Sequence, residues 1–290
     1  MLFSVLLQAC VTSPFDSAES DDTTLRQLDT CSSSFGDGVP AFYTTYFRCV
    51  DVSVDGDDLV LASTDLPPHP SPYYETASEN WEAWDDRGGE YHQNPNTLTA
   101  QAFVLRIPSA PVAKGIVVTE DMRDLTMLTS LDEFPGGTIG IALDGVSLYN
   151  ATAAPGDDIR EEQYTFDTWS AHPSPDGAYH HHSPNPGGLA VLEANGLVST
   201  HVPGEAEIEL YGIACDGTVV LGCTELDGGA VATEELDAQG GHVGDLRGAD
   251  GTLHFAARYH THMCAAIDAD AFTPEIQYYN RCTVSSAVAP

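Results

Sequence analysis

The chain is poor in positive charge. Its 290 residues include only 10 Lys and Arg, with Lys114 the single lysine, against 44 Asp and Glu, for a formal charge of −34. A surface of that sign repels phosphate backbones, which excludes nucleic acid as a partner. Long apolar runs are also missing, and no stretch approaches the ~20 residues that a bilayer-spanning helix requires. Strong helix periodicity is scarce. Neither the Gly-x-Ser-x-Gly elbow nor the His-Glu-x-x-His motif occurs, which removes those two hydrolase signatures. Disorder is excluded by a hydrophobic content of 42%, and the length suffices for one large domain with a substantial core.

The opening ten residues, MLFSVLLQAC, are a short apolar run ending in Leu-Gln-Ala-Cys, similar to the bacterial lipoprotein box, in which the cysteine is lipidated. The usual positive region before the apolar run is lacking. On this reading residues 1–10 are a signal segment, Cys10 is the lipidation site, and the only membrane contact is that anchor. The destination is the bacterial cell envelope or the extracellular space. Seven cysteines less Cys10 leave six, Cys31, Cys49, Cys215, Cys223, Cys264 and Cys282. An even remainder in an exported chain predicts three disulfides, with 15 possible connectivities.

Residues 11–30 are polar and acidic, and read as a disordered tether before a domain over 31–290. From there short β-rich runs at 47–54, 59–62, 101–107 and 115–119 are punctuated by Gly, Pro, Asn and Asp. Residues 67–96, with their prolines and acids, read as a long irregular excursion. Helical turns are expected only within 151–162, 192–196 and 234–238. The fold class is therefore mainly β: one compact, sandwich-like, disulfide-stabilised domain with a few short helices.

An internal repeat organises the chain. GIALDG at 140–145 matches GIACDG at 212–217, an offset of 72. Phe166-Asp167-x4-His172 matches Leu236-Asp237-x4-His242, and Tyr179-His180-x-His182 matches Tyr259-His260-x-His262. Three anchors in one order predict duplication of a small β unit, at about 138–183 and 210–263, with the copies packed about a pseudo-twofold axis. The Asp-Gly pairs at 144 and 216 read as hairpin turns.

Six of the eleven histidines occupy corresponding places in the copies. A strand sends alternate side chains to one face, so His180 and His182 point the same way, as do His260 and His262. Such pairs can share an ion, and His172 and His242, arriving from the preceding loops, supply a third nitrogen to each. Three neutral imidazoles and an open position suit Zn or Cu, the likeliest ions, and with room for a carboxylate also Fe or Mn. Asp167 and Asp237 are candidate ligands or orienting partners, and His254 is an optional ligand if its strand is regular. Tyr179 and Tyr259 face away, into the core.

Taken together, GIALDGVSLYN, AHPSPDGAYHHHSP, LDAQGGH and YHTH resemble the YHYH-domain proteins, bacterial proteins named for a Tyr-His-Tyr-His motif. LPPHP around His69 and NPNTLTAQAFVLRIPSAP at 94–111 extend the resemblance over about residues 51–282. His181 and Thr261 stand where the family has its second Tyr, and the second copy carries an insertion. The resemblance implies an exported, metal-associated domain and adds His69 as a candidate ligand, but it carries no particular reaction.

The expectation is an exported metal-binding protein with affinity falling as pH drops through the ordinary histidine pKa of ~6.5. Two alternatives remain: a metal-dependent hydrolase or oxidoreductase of the envelope, and a metal-free surface interaction module. The first requires the ligands to face a deep cleft, and the second requires the six imidazoles to point apart.

Overall fold

Alternation of apolar and polar residues builds the first sheet. Leu59 and Leu61 of β3 (Asp58–Ser63) and Phe103, Leu105 and Ile107 of β4 (Phe103–Pro108) all turn inward and are buried, as a period of two requires. The computed structural model describes residues 31–123, 133–134, 136–153, 158–268 and 271–289. Cys10 and the tether 11–30 lie outside the described residues. Thirteen strands are described, in two sheets. The first sheet runs β1 (Ser34–Phe35), β2 (Asp51–Asp55), β3, β4 and then the last strand of the chain, β13 (Thr283–Ser285).

The second sheet has eight strands in the order β11-β12-β10-β9-β5-β6-β8-β7. The first copy supplies β5 (Thr138–Ala142), β6 (Ser147–Tyr149), β7 (Ala171–Pro173) and β8 (Tyr179–His181). The second supplies β9 (Leu210–Ala214), β10 (Val219–Leu221), β11 (Gly241–Arg247) and β12 (Leu253–His262). Each copy makes the same pairings: an antiparallel hairpin, a parallel neighbour, and a second antiparallel hairpin. The copies join where β5 meets β9, with Gly140 opposite Ala214, Ile141 opposite Ile213 and Ala142 opposite Gly212. The pseudo-twofold axis passes through the Ile141–Ile213 pair. Equivalent hydrogen bonds flank it, Leu143 N to Tyr211 O at 3.1 Å and Cys215 N to Ile139 O at 2.7 Å.

Both Asp-Gly sites are hairpin turns, of a three-residue kind. Gly145 N donates to Ala142 O and Gly217 N to Ala214 O, and only the glycine of each pair has positive φ. The central positions are therefore Leu143-Asp144 and Cys215-Asp216, with the glycine forming the bulge. Both aspartates are buried.

The sheets share one core, in which Leu61, Leu105 and Ile107 meet Ile139, Ile141, Leu210 and Ile213. Helix α1 (Ala41–Tyr46) adds Phe42, Tyr43 and Tyr46 to it. The excursion 67–96 has no helix or strand beyond a single bridge between Ser71 and Trp81. It is held down by Tyr73, packed against Val146, Ala171 and Tyr179.

Three disulfides form, Cys31–Cys49, Cys215–Cys282 and Cys223–Cys264. They mark the product of an oxidising compartment. Helix α2 (Ile159–Glu162) is a single turn capped by Asp158, and residues 233–235 make one 3-10 turn. Helix α3 (Pro186–Ala194) starts six residues earlier than expected, capped by Asn185 with Pro186 in its first turn. Residues 115–119 form no strand; Val117 is 75% exposed, and pairing stops at a bridge of Ala113 with Tyr279 and single bonds at Lys114 and Val118. Among the described residues no helix is long and apolar enough to cross a membrane.

The axis leaves no room for a side chain. A Cβ on Gly212 would lie 2.2 Å from Ile141 O and 2.9 Å from Ala142 Cα, both backbone atoms. Gly212→Ala is expected to destabilise the domain by about 2–3 kcal/mol, the scale of overpacking in a rigid core. Equilibrium denaturant unfolding against the wild-type chain measures this.

Candidate metal centres

Cross-strand pairing assembles each histidine group. His172 of β7 stands directly opposite His180 of β8, and His242 of β11 directly opposite His260 of β12. Opposite residues of an antiparallel pair sit side by side on one face. His182 and His262 lie two positions further along that same face. The third histidine of each group therefore comes from a paired strand and not from a loop, as the spacing had led us to expect.

The rings converge through their Nε2 atoms. In the first triad His172 Nε2 and His180 Nε2 are 3.0 Å apart, and in the second His242 Nε2 and His262 Nε2 are 3.3 Å apart. Nitrogens bound to one tetrahedral ion at ~2.0–2.1 Å would stand about 3.3 Å from each other. Ligand atoms of His172, His180 and His182 all fall within 4.8 Å of one another, and so do those of Glu225, His242, His260 and His262.

The other ring nitrogens fix the tautomers of the first triad. His180 Nδ1 donates to Ala178 O at 3.0 Å and His182 Nδ1 to Asn150 O at 2.6 Å. Thr165 Oγ1 gives its proton to Glu162 O and so accepts from His172 Nδ1, at 2.6 Å. A carbonyl can only accept, so each neutral ring carries its proton on Nδ1 and presents a bare Nε2 lone pair to the centre. Two lone pairs facing each other at 3.0 Å repel unless a cation or proton lies between them.

Burial argues against the proton. It holds His172 down at about 3, with His182 as the lesser cause, and His182 down at about 4. His180 is held well below its ordinary value by burial, reinforced by His172 and His182. All three rings of the free triad thus protonate below the ordinary value of ~6.5 expected from the sequence, His172 at about 3 and His182 at about 4. Tyr149 stacks on His180 at 3.8 Å and Phe166 packs edge-on to His172 at 4.9 Å, which gives the site an apolar sleeve.

The second triad has a carboxylate. Glu225 places Oε1 3.2 Å from His242 Nε2 and 3.6 Å from His262 Nε2, and Oε2 3.2 Å from His260 Nε2. His260 Nδ1 donates to Arg258 O and His262 Nδ1 to Gly222 O. Burial lowers His262 to about 4 and also lowers His242, with His260 adding to the effect. The Cys223–Cys264 disulfide ties the segment that carries Glu225 to the end of the strand that carries His262. In the first triad the nearest carboxylate is Glu162, with Oε1 3.5 Å from His172 Nε2. The second triad opens on a cavity of about 190 Å³. The first lies at the floor of a cleft of about 970 Å³.

Other sequence candidates stand elsewhere. Asp167 accepts from Tyr179 Oη at 2.7 Å and Ser71 Oγ at 2.6 Å, and Asp237 accepts from Tyr259 Oη at 2.8 Å. Both also receive backbone N–H groups of the turns that follow them. They lock the tyrosine faces of β8 and β12, and neither joins a group of converging ligand atoms. His254 lies against Phe42 and Tyr46, because β12 is not regular: Ala256 and Ala257 together oppose Asp245. The extra residue reverses the alternation and turns His254 away from His260. His69 is buried, stacks on Trp169 at 4.0 Å, and donates from Nδ1 to Pro70 O at 2.9 Å. Sequence spacing missed Glu162 and Glu225, which arrive from elements outside the repeated motifs.

His69 provides a pH test clear of the triads. Burial lowers it to about 3, so from the unfolded value of ~6.5 down to that point only the unfolded chain takes up its proton. Its stabilising contribution is thus present above ~6.5 and is lost as pH falls, by about 1.4 kcal/mol per pH unit. Buried Asp144 and Asp167, each raised to about 6, have the opposite sign but are common to wild type and variant. His69→Gln is expected to make the acid slope of unfolding free energy shallower by about 1.4 kcal/mol per unit between roughly pH 4 and 6, measured in denaturant titrations. An unchanged slope would contradict the burial assignment.

Comparison with known proteins adds one relation. No curated protein and no solved structure matches the chain. A family model described as YHYH protein matches residues 106–239, a span that contains the first triad and Glu225 and ends just before His242. Over residues 106–239 the chain therefore matches a YHYH domain.

Proposed function

We propose that this is an exported metal-binding protein with two inequivalent histidine sites, Cu or Zn being the ions their donors suit. The observation that supports it most is the facing of bare Nε2 lone pairs at 3.0 Å in the first triad, their Nδ1 protons committed elsewhere. In the second site three imidazoles and the Glu225 carboxylate make a complete N3O set, suited to a permanently held Zn. In the first, three imidazoles leave a coordination position facing the cleft, the arrangement of catalytic and exchangeable sites. Convergence of the rings counts against a metal-free interaction module. Pairing of the other six cysteines leaves Cys10 over, in keeping with its use as a lipid anchor to the cell envelope.

A second reading applies to the first site only, and the size of its cleft favours it. There a metal-dependent hydrolase or oxidoreductase would use the open position on substrate or water, with Glu162 as the carboxylate at hand for a proton. Asp167, tied to Tyr179 and Ser71, is badly placed for that role.

Elemental analysis of tag-free protein is expected to give about two equivalents of transition metal per chain. His180→Ala/His182→Ala and His260→Ala/His262→Ala should each remove about one. Less than about half an equivalent, unchanged in both variants, would end the proposal. The disulfide gives a second test. Cys223→Ser/Cys264→Ser is expected to weaken the second site about tenfold or more, as loss of an orienting contact does. Chelator competition in a chain already lacking His180 and His182 reads this out.

A further inference from the structure

The cleft over the first triad is acidic along its rim, and among the described residues no lysine or arginine lines it. Glu90, Asp158, Glu161 and Glu162 all face it. Glu90 accepts from the Tyr164 hydroxyl, and Glu161 stands near that same hydroxyl, so these carboxylates cluster about one aromatic ring at the mouth. Two arginines stand near but outside the lining: Arg160, 3.8 Å from Asp158, and Arg87, whose guanidinium lies over Tyr91, the ring that packs edge-on with Tyr164. At the floor His182 Nε2 is buried, has no hydrogen-bond partner, and faces the same space. The cleft thus joins a lone-pair donor at its base to fixed negative charge and the half-buried Tyr164 ring at its entrance.

We propose that this cleft is the binding site for a small organic cation bearing primary ammonium groups, held at the rim by Glu90 and Glu161 and by the face of Tyr164. Three observations carry it. A volume of about 970 Å³ admits a molecule of several linked amines. Four carboxylates outweigh even a divalent ion at the floor, so the site stays negative and repels phosphates, sulfates and carboxylates. A carboxylate pair beside an aromatic ring is the arrangement that recognises ammonium groups. The floor of the cleft rests on the reading of the first triad as a metal site; the rim stands without it.

The test titrates spermidine into the full chain by calorimetry, with metal content measured on the same sample. Saturable binding of one spermidine per chain is expected. Glu90→Gln/Glu161→Gln should weaken it about tenfold, the worth of two exposed charge contacts. Asp37→Asn/Glu205→Gln removes equal charge far from the cleft and should change it less than about twofold. A lysine-rich pentapeptide that binds more tightly, with the same loss in the Glu90/Glu161 variant, supports the site and makes the ammonium source peptidic. No saturable binding, equal weakening by both variant pairs, or tighter binding of maltotriose or citrate overturns the proposal. Spermidine binding in a chain without metal would sink the metal reading alone, whereas a metal-loaded chain that ignores spermidine would sink this one alone.

Discussion

The pairing of β5 with β9 is the contact on which the rest of the molecule depends. It is a short antiparallel ladder between equivalent segments of two copies, centred on Ile141 and Ile213. Without it each copy is a four-stranded sheet with an open, apolar edge, and neither could bury its strands alone. With it the edges meet and the sheet runs continuously from β11 to β7. The backbones meet so closely at Gly140 and Gly212 that the register admits no side chain there. One ladder thereby fixes the orientation of both histidine hairpins at once.

Each hairpin uses its two faces differently. One face carries tyrosine, whose hydroxyl is pinned by an aspartate that also closes the preceding turn. The other carries imidazoles, whose Nδ1 atoms, that of His242 apart, are anchored on carbonyl or hydroxyl oxygens. The tyrosine face makes the strand rigid, and that rigidity holds the imidazoles close enough for their lone pairs to conflict. Energy invested in packing one side thus becomes preorganisation on the other. The copies differ in what surrounds this common element. The second has Glu225 and a disulfide beside it; the first has a wide approach.

Much of this was legible in the sequence because duplication repeats a pattern that chance does not. The GIALDG and GIACDG segments gave the axis, and the Asp-x4-His and Tyr-His-x-His elements gave both triads and the inward tyrosines. What stayed hidden has physical causes. Glu225 reaches its site through the fold of a loop, so no spacing announces it. His254 was misread because a bulge is a local backbone event that inverts parity without altering composition. Helix α3 opens with Pro-Gly-Gly, which masks a helix although Asn185 and Pro186 are ordinary start signals. Residues 115–119 have strand composition, but a strand also needs a continuous ladder, and among the described residues this segment has only one backbone bond to a distant segment, from Ala238 N to Val118 O. Cys215 stands at the centre of a turn, so its partner had to come from far away.

The chain closes its first sheet with its final segment. β13 pairs with β4, and Cys282 beside it bonds to Cys215. The strand pairing spans well over a hundred residues and the disulfide 67, and such long-range contacts are costly to form early, because loop closure precedes any gain. β4 therefore gains its β13 neighbour only through residues 283–285, far along the chain. The order of residues along this fold thus makes closure of the first sheet a later step than formation of the local hairpins that carry the histidines.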